Sequence, residues 1–242
     1  MLMPAGALAQ TFDPGPVLFG GHNYDPFVSF SVGGGNLTIV LREDGDAAGL
    51  NPHVLTGVLW MDSNTGAYGT VSANATAGST VQNDDGTLYA VGETVAQHWA
   101  YRTQTFDGFQ QGVGTAGFTD VPGGLFGNGD VFAAGGSPPL VNGVDWGMVS
   151  GFAAGGINGN ENPFIVNSGT FVLSLGTMPA PVITGVRFLY GSAAGEGPNP
   201  PIRIPPLQVV PEGSSVGLMA AGMLPFAGLT AMFRRRRIKA IV

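Results

Sequence analysis

Two carboxylate pairs, Glu43-Asp44 and Asp84-Asp85, and three histidines, His22, His53 and His98, are the side chains best suited to moving protons in this sequence. Acid–base work on a glycosidic bond needs two carboxyls facing one another across a cleft at a set separation. Sequence neighbours on a turn rarely meet that demand, so both pairs read as solvated turns. The histidines show no i,i+4 pair and no H-E-x-x-H spacing, the usual sequence mark of a histidine-held metal. Each reads as a surface or half-buried polar residue. The chain has no cysteine, which excludes disulfides, thiolate metal sites and cysteine nucleophiles together. With no catalytic constellation in view, the expectation is a protein that is not an enzyme.

Two weaker patterns concern binding. "DSNTG" sets Asp62, Asn64 and Gly66 at alternate positions, and "NGNEN" offers Asn158, Asn160, Glu161 and Asn162. Oxygen-rich loops suit calcium, although neither stretch continues into an EF-hand. Asp62, Asn64, Asn160 and Glu161 are therefore the metal candidates, and calcium is the one cofactor to consider. Trp60, Trp99, Trp146, Tyr68 and Tyr101 offer the rings for a sugar-stacking platform. Against that, "LTGVLWM" and "HWAYR" look like core strands.

The elements that must position these residues are short strands. Gly (41) and Pro (18) fill about a quarter of the 242 positions, and only 10% are charged. A hydrophobic share of 44% with fifteen Phe still supplies the apolar area that folding requires. Period-two alternation recurs: Leu37, Ile39 and Leu41 in "NLTIVLR", Phe171, Leu173 and Leu175 in "TFVLSLG", and Val186, Phe188 and Tyr190 in "GVRFLYG". Turn clusters such as "NDDG", "GNGD" and "AAGGSPP" separate the runs. No apolar period of 3.6 residues is sustained between residues 10 and 208, and no repeat appears. Without helices to cover a sheet, apolar faces must meet each other, which predicts an all-β, antiparallel β-sandwich of jelly-roll-like type over residues 10–195. Six prolines between Glu196 and Pro211 predict an extended spacer over residues 196–210.

The tail differs from the body. Residues 216–233 carry no charge, and as a helix they would reach roughly 27 Å, enough for one transmembrane span. Arg234, Arg235, Arg236 and Arg237 follow at once, and such a block stays on the cytoplasmic side. With Lys239 they hold five of the nine basic residues, leaving four against sixteen acids before them, a net of −12. A body so acidic is repelled by phosphate backbones, so nucleic acid is not an expected partner. At the other end "MLMPAGALAQ" places Ala7-Leu8-Ala9 before Gln10, a small-x-small pattern that reads as the remnant of a secretory signal over residues 1–9.

The order Val210-Pro211-Glu212, a polar link with Gly213, Ser214 and Ser215, the apolar run and the Arg234–Arg237 block resembles the PEP-CTERM sorting signal of exosortase-dependent bacterial surface proteins. Gly213 stands where that signal has its second proline. The body stretches "HVLTGVLWMD", "HWAYR", "GGLFGNGDVF", "VDWGMVSG", "SGTFVLSLG" and "ITGVRFLYG" are similar to one exosortase-dependent surface-protein family of unassigned biochemical role. The resemblance implies passage through the export machinery, membrane insertion of the tail, and cleavage near Pro211-Glu212 by exosortase, a membrane cysteine transpeptidase. It also implies release or attachment at the cell surface, typically in bacteria that make exopolysaccharide, a candidate partner. "LPFAG" (Leu224 to Gly228) is similar to a sortase signal but lies inside the apolar run, where a sortase working in water has no access. The expected role is structural or adhesive, in a surface or matrix protein. A carbohydrate-binding module or adhesin is the alternative, with a secreted hydrolase or an ice-binding protein further behind.

Overall fold

A computed structural model of the chain describes residues 9–204, apart from 92–93, 116–117, 119, 122–123, 128, 134–142, 155, 158–162 and 194. The described strands are, in chain order, β1 (Ala9–Phe12), β2 (Val17–Phe19), β3 (His22–Tyr24), β4 (Pro26–Gly33), β5 (Asn36–Glu43), β6 (Leu55–Asp62), β7 (Gly69–Ala75) and β8 (Thr80–Gln82). They continue with β9 (Leu88–Val91), β10 (Ala100–Phe106), β11 (Phe109–Gly114), β12 (Met148–Val149), β13 (Phe164–Val166), β14 (Ser168–Ser174), β15 (Ile183–Tyr190) and β16 (Arg203–Ile204). A single 3-10 turn, Asn51–His53, is the only helical piece among the described residues.

One sheet runs β1-β4-β5-β14-β7. The other runs β10-β11-β6-β12-β13-β8-β9, with β15 also on β6 and β16 on β15; β2 and β3 form a separate hairpin. Pairing between the described strands is antiparallel except for β12 and β13, which run parallel with Met148 opposite Ile165, and an isolated parallel bridge joins Ala48 to Phe152. The all-β sandwich expectation therefore holds, with one parallel pair added. Strict alternation on β4 and β5 turns Val28, Phe30, Leu37, Ile39 and Leu41 inward, where with Phe171 and Leu173 they meet Leu55, Val58, Trp60, Val113, Val186 and Phe188 of the second sheet. Ring contacts such as Phe30 to Trp60 (5.6 Å) and Trp99 to Phe171 (4.5 Å) fill the interface.

The second sheet is covered on its other face too, by a cluster of Leu59, Ala100, Phe109, Phe118, Leu125, Phe126 and Leu189. That explains why "LTGVLWMD" lacks alternation: a strand buried on both faces reads as a continuous apolar run. Gly114 lets the Phe126 ring lie on the strand, since a Cβ there would come within 2.4 Å of Phe126 Cε2. Arg187, on the face that alternation assigns to solvent, is instead buried under this layer. Its Nη1 donates to Asp107 Oδ2 (2.5 Å), Arg203 shares that carboxylate, and the guanidinium lies 4.8 Å over the Phe106 ring.

Two boundaries move. Residues 198–204, expected in the spacer, belong to the folded body: Pro198 and Ile202 are buried, Ile202 O accepts from Phe188 N (3.1 Å), and β16 pairs with β15; residues 205–210 lie outside the described residues. Proline forbids ladder donation but not packing at an edge, so proline density alone misplaced the end of the domain. Ala9, assigned to the signal remnant, is the first residue of β1, opposite Ser31. No helix among the described residues is long and apolar enough to cross a membrane. The expected span 216–233 lies outside them.

Candidate functional site

The inward stripe of β5 ends on a carboxylate: Leu37, Ile39, Leu41 and then Glu43, which is 1% exposed. The solvated-turn reading fits only Asp44, whose Oδ2 lies 2.5 Å from Arg42 Nε. Glu43 Oε1 accepts from the backbone N–H groups of Asp25 and Gly45 (both 2.9 Å), and Oε2 accepts from the Tyr190 hydroxyl (2.5 Å). Gly45 is required there, since a Cβ would run into Asn23 O and Glu43 Oε1. Burial pushes the Glu43 carboxyl above its usual range, with the Tyr190 and backbone hydrogen bonds pulling it back. Burial and then the Glu43 charge raise Tyr190, and push Tyr24 up to about 12.

Around this carboxylate stand rings that sequence reading left scattered. Tyr24 meets Tyr190 edge-on (4.8 Å between centroids), and on its other side meets His22 (4.6 Å). His22 stacks on His53 at 3.7 Å with planes 14° apart. His53 Nδ1 accepts from Gly49 N (3.4 Å), a role that needs the neutral ring. Burial lowers both histidine pKa values, His53 further through His22, while Asp46 opposes. The assembly ties the β3–β4 join, the end of β5, the 3-10 turn and the end of β15 into one closed knot. With both oxygens occupied by protein donors, Glu43 locks backbone and phenol donors in place.

A second polar knot takes up the first calcium candidates. Asp62 Oδ1 accepts from Asn64 N (2.8 Å), and Oδ2 accepts from Trp60 Nε1 (3.0 Å) and the Tyr68 hydroxyl (2.6 Å). Asn64 Nδ2 donates to Tyr68 Oη (3.2 Å) and Pro179 O (3.0 Å). Tyr101 donates to Gln111 Oε1 (2.6 Å) and accepts from Tyr68 N (2.9 Å). Both Asp62 oxygens thus have protein donors. Asn158, Asn160, Glu161 and Asn162 lie outside the described residues. No group of three or more His, Asp or Glu suited to a metal occurs among the described residues. Adding millimolar calcium to chelated protein should leave Tm within about 1 °C; a rise of several degrees, about 1 kcal/mol or more at this size, that disappears in Asp62→Asn would restore the site.

All five rings offered as a sugar platform are core: Trp60, Trp99, Tyr68, Tyr101 and Trp146 are each less than a tenth exposed. Trp60 and Tyr101 turn inward because their strands face the first sheet. Trp146, at φ 64°, is held by its N–H to Pro163 O (2.5 Å) and by its carbonyl to Trp99 Nε1 (2.9 Å), with His98 stacked on it at 3.9 Å. Asp84 and Asp85, also read as a solvated turn, border an open cleft of about 500 Å³ between the β8–β9 turn and residues 151–154 and 156. The sorting-signal residues Val210, Pro211, Glu212, Gly213, Ser214, Ser215 and Arg234–Arg237 lie outside the described residues. The chain matches no family model, no curated protein and no solved structure.

Proposed function

We propose that this chain is an exported, non-enzymatic cell-surface or extracellular-matrix protein, delivered by its C-terminal segment and processed by an exosortase. The observation that carries the reading is the order of parts from Val210 to Arg237: Val-Pro-Glu, two serines, eighteen uncharged residues and four arginines. Residues 216–233 serve as a single transmembrane helix, with the arginines cytoplasmic and the acidic body outside. A stable all-β body with its polar groups locked inward suits a structural or adhesive part. Export machinery and exosortase are the partners, the membrane holds the tail before cleavage, and no cofactor is invoked.

Mass spectrometry of the protein recovered from its native cell surface tests this directly. The mature C-terminus is expected within residues 211–215. Recovery of the chain with Arg237 intact would reduce the tail to a permanent anchor. Gly213→Pro is expected to leave the cleavage position unchanged, because both residues suit the turn before the span.

A further inference from the structure

The cleft beside Asp84 is built rather than incidental. One wall is the β8–β9 turn, closed by Asn83 N to Thr87 O (2.9 Å), Gly86 N to Asn83 O (2.9 Å) and Thr87 N to Asp85 Oδ1 (2.8 Å). The other wall is held to residue 48 by Ala48 N to Gly151 O (2.9 Å) and Ala153 N to Ala48 O (2.8 Å). The walls meet where Gly156, at φ +70°, lets the Asp84 carbonyl come close; a Cβ there would sit 2.6 Å from that oxygen. Phe152, half-buried and packed on Phe164 at 5.8 Å, gives the cleft an aromatic surface, and Gly86 leaves that ring uncovered. Gln82 adds a side-chain amide, fixed by Nε2 donating to Thr80 Oγ1 (2.8 Å).

This lining selects by chemistry. About 500 Å³ is within the ~300–1,000 Å³ range of small-ligand sites and far exceeds one ion. No Lys, Arg or His lines it among the described residues, and two carboxylates on a body of net −12 repel anions. A wholly apolar ligand would desolvate Asp84, Asp85 and Gln82 without return. A ligand with C–H faces for a ring and many hydroxyl donors for carboxylates satisfies both halves. We propose that this cleft binds a segment of neutral oligosaccharide, one sugar face on Phe152 and hydroxyls donating to Asp84 and Asp85. The inference goes beyond the sorting reading and does not depend on it.

The test uses the full chain in detergent, so that failure of tail processing leaves it untouched. Cellotetraose, maltotetraose, mannotetraose and N-acetylchitotetraose are each offered in saturation-transfer NMR. At least one is expected to receive saturation, and Asp84→Asn with Asp85→Asn is expected to weaken its Kd roughly tenfold through loss of charge-assisted hydrogen bonds. Gly151→Trp is the blocking variant: a Cβ at Gly151 meets nothing within 4 Å, so the indole enters open space, and Tm should hold while binding is lost. No transfer to any of the four, transfer that survives Gly151→Trp, or a response to calcium alone would overturn the proposal.

Discussion

Glu43→Ala is expected to destabilise the body by roughly 3–5 kcal/mol in urea unfolding followed by tryptophan fluorescence, while Glu43→Gln costs about 1 kcal/mol. Alanine strands the Tyr190 hydroxyl and the N–H groups of Asp25 and Gly45 in a site that water does not reach. Glutamine keeps an acceptor for the two N–H groups and a donor for the phenol oxygen. Against a total stability of about 5–15 kcal/mol, the alanine change is large. Equal losses in the two variants would mean that packing volume, and not hydrogen bonding, sets the value of the site.

A second pair of variants, Glu43→Gln and His53→Gln, exposes a hidden pH balance. Glu43 is raised in the folded state, so its contribution is full below the unfolded value of 4.5 and is lost as pH rises through the folded pKa. His22 and His53 are lowered, so theirs is full above 6.5 and is lost as pH falls. The two oppose each other between those limits. Asp25, raised mainly by burial, acts in the Glu43 direction in every variant. Glu43→Gln should therefore lose more Tm between pH 7 and pH 5 than the parent, and His53→Gln less. Identical slopes in all three proteins would show that this knot does not govern the acid response.

Trp60→Ala should cost roughly 3–5 kcal/mol, the range for emptying a fully buried large aromatic. The cavity opens between the sheets beside Phe30 and Tyr101, and Asp62 Oδ2 loses one of its donors. Trp60→Phe, which keeps most of the volume, should cost about half as much. Were Trp60 a sugar-stacking residue, alanine would leave Tm unchanged and lower only binding. A variant with unaltered stability would overturn its assignment to the core.

How far the sequence could be read depended on the range of the physics involved. Alternation in "NLTIVLR" and "TFVLSLG" named the inward faces correctly, because a strand's period is local. Tyr190 closes the "GVRFLYG" stripe and Glu43, expected on a solvated turn, in fact continues the β5 stripe, but a period assigns a face and not a partner. Their hydrogen bond spans 147 positions and exists only because β5 and β15 end at the same corner of the sandwich. The histidines failed the test of sequence spacing for the same reason: a hairpin and a 3-10 turn bring His22 and His53 together. Arg187, between Val186 and Phe188 of an inward stripe, is buried as well, because alternation carries no notice of a second layer.

By itself the sequence determined the strand-rich class, the inward stripes, the division of charge, and the linear order of the tail. Those follow from period, composition and adjacency, which need no third dimension. Only the tertiary structure decided that Glu43 is locked, that Asp62 is shared among Trp60, Tyr68 and Asn64, that five aromatic rings are core, and that Asp84 and Asp85 border a cleft. Each of these rests on which strands pair and which loops then meet, and a free-energy balance over the whole chain sets that.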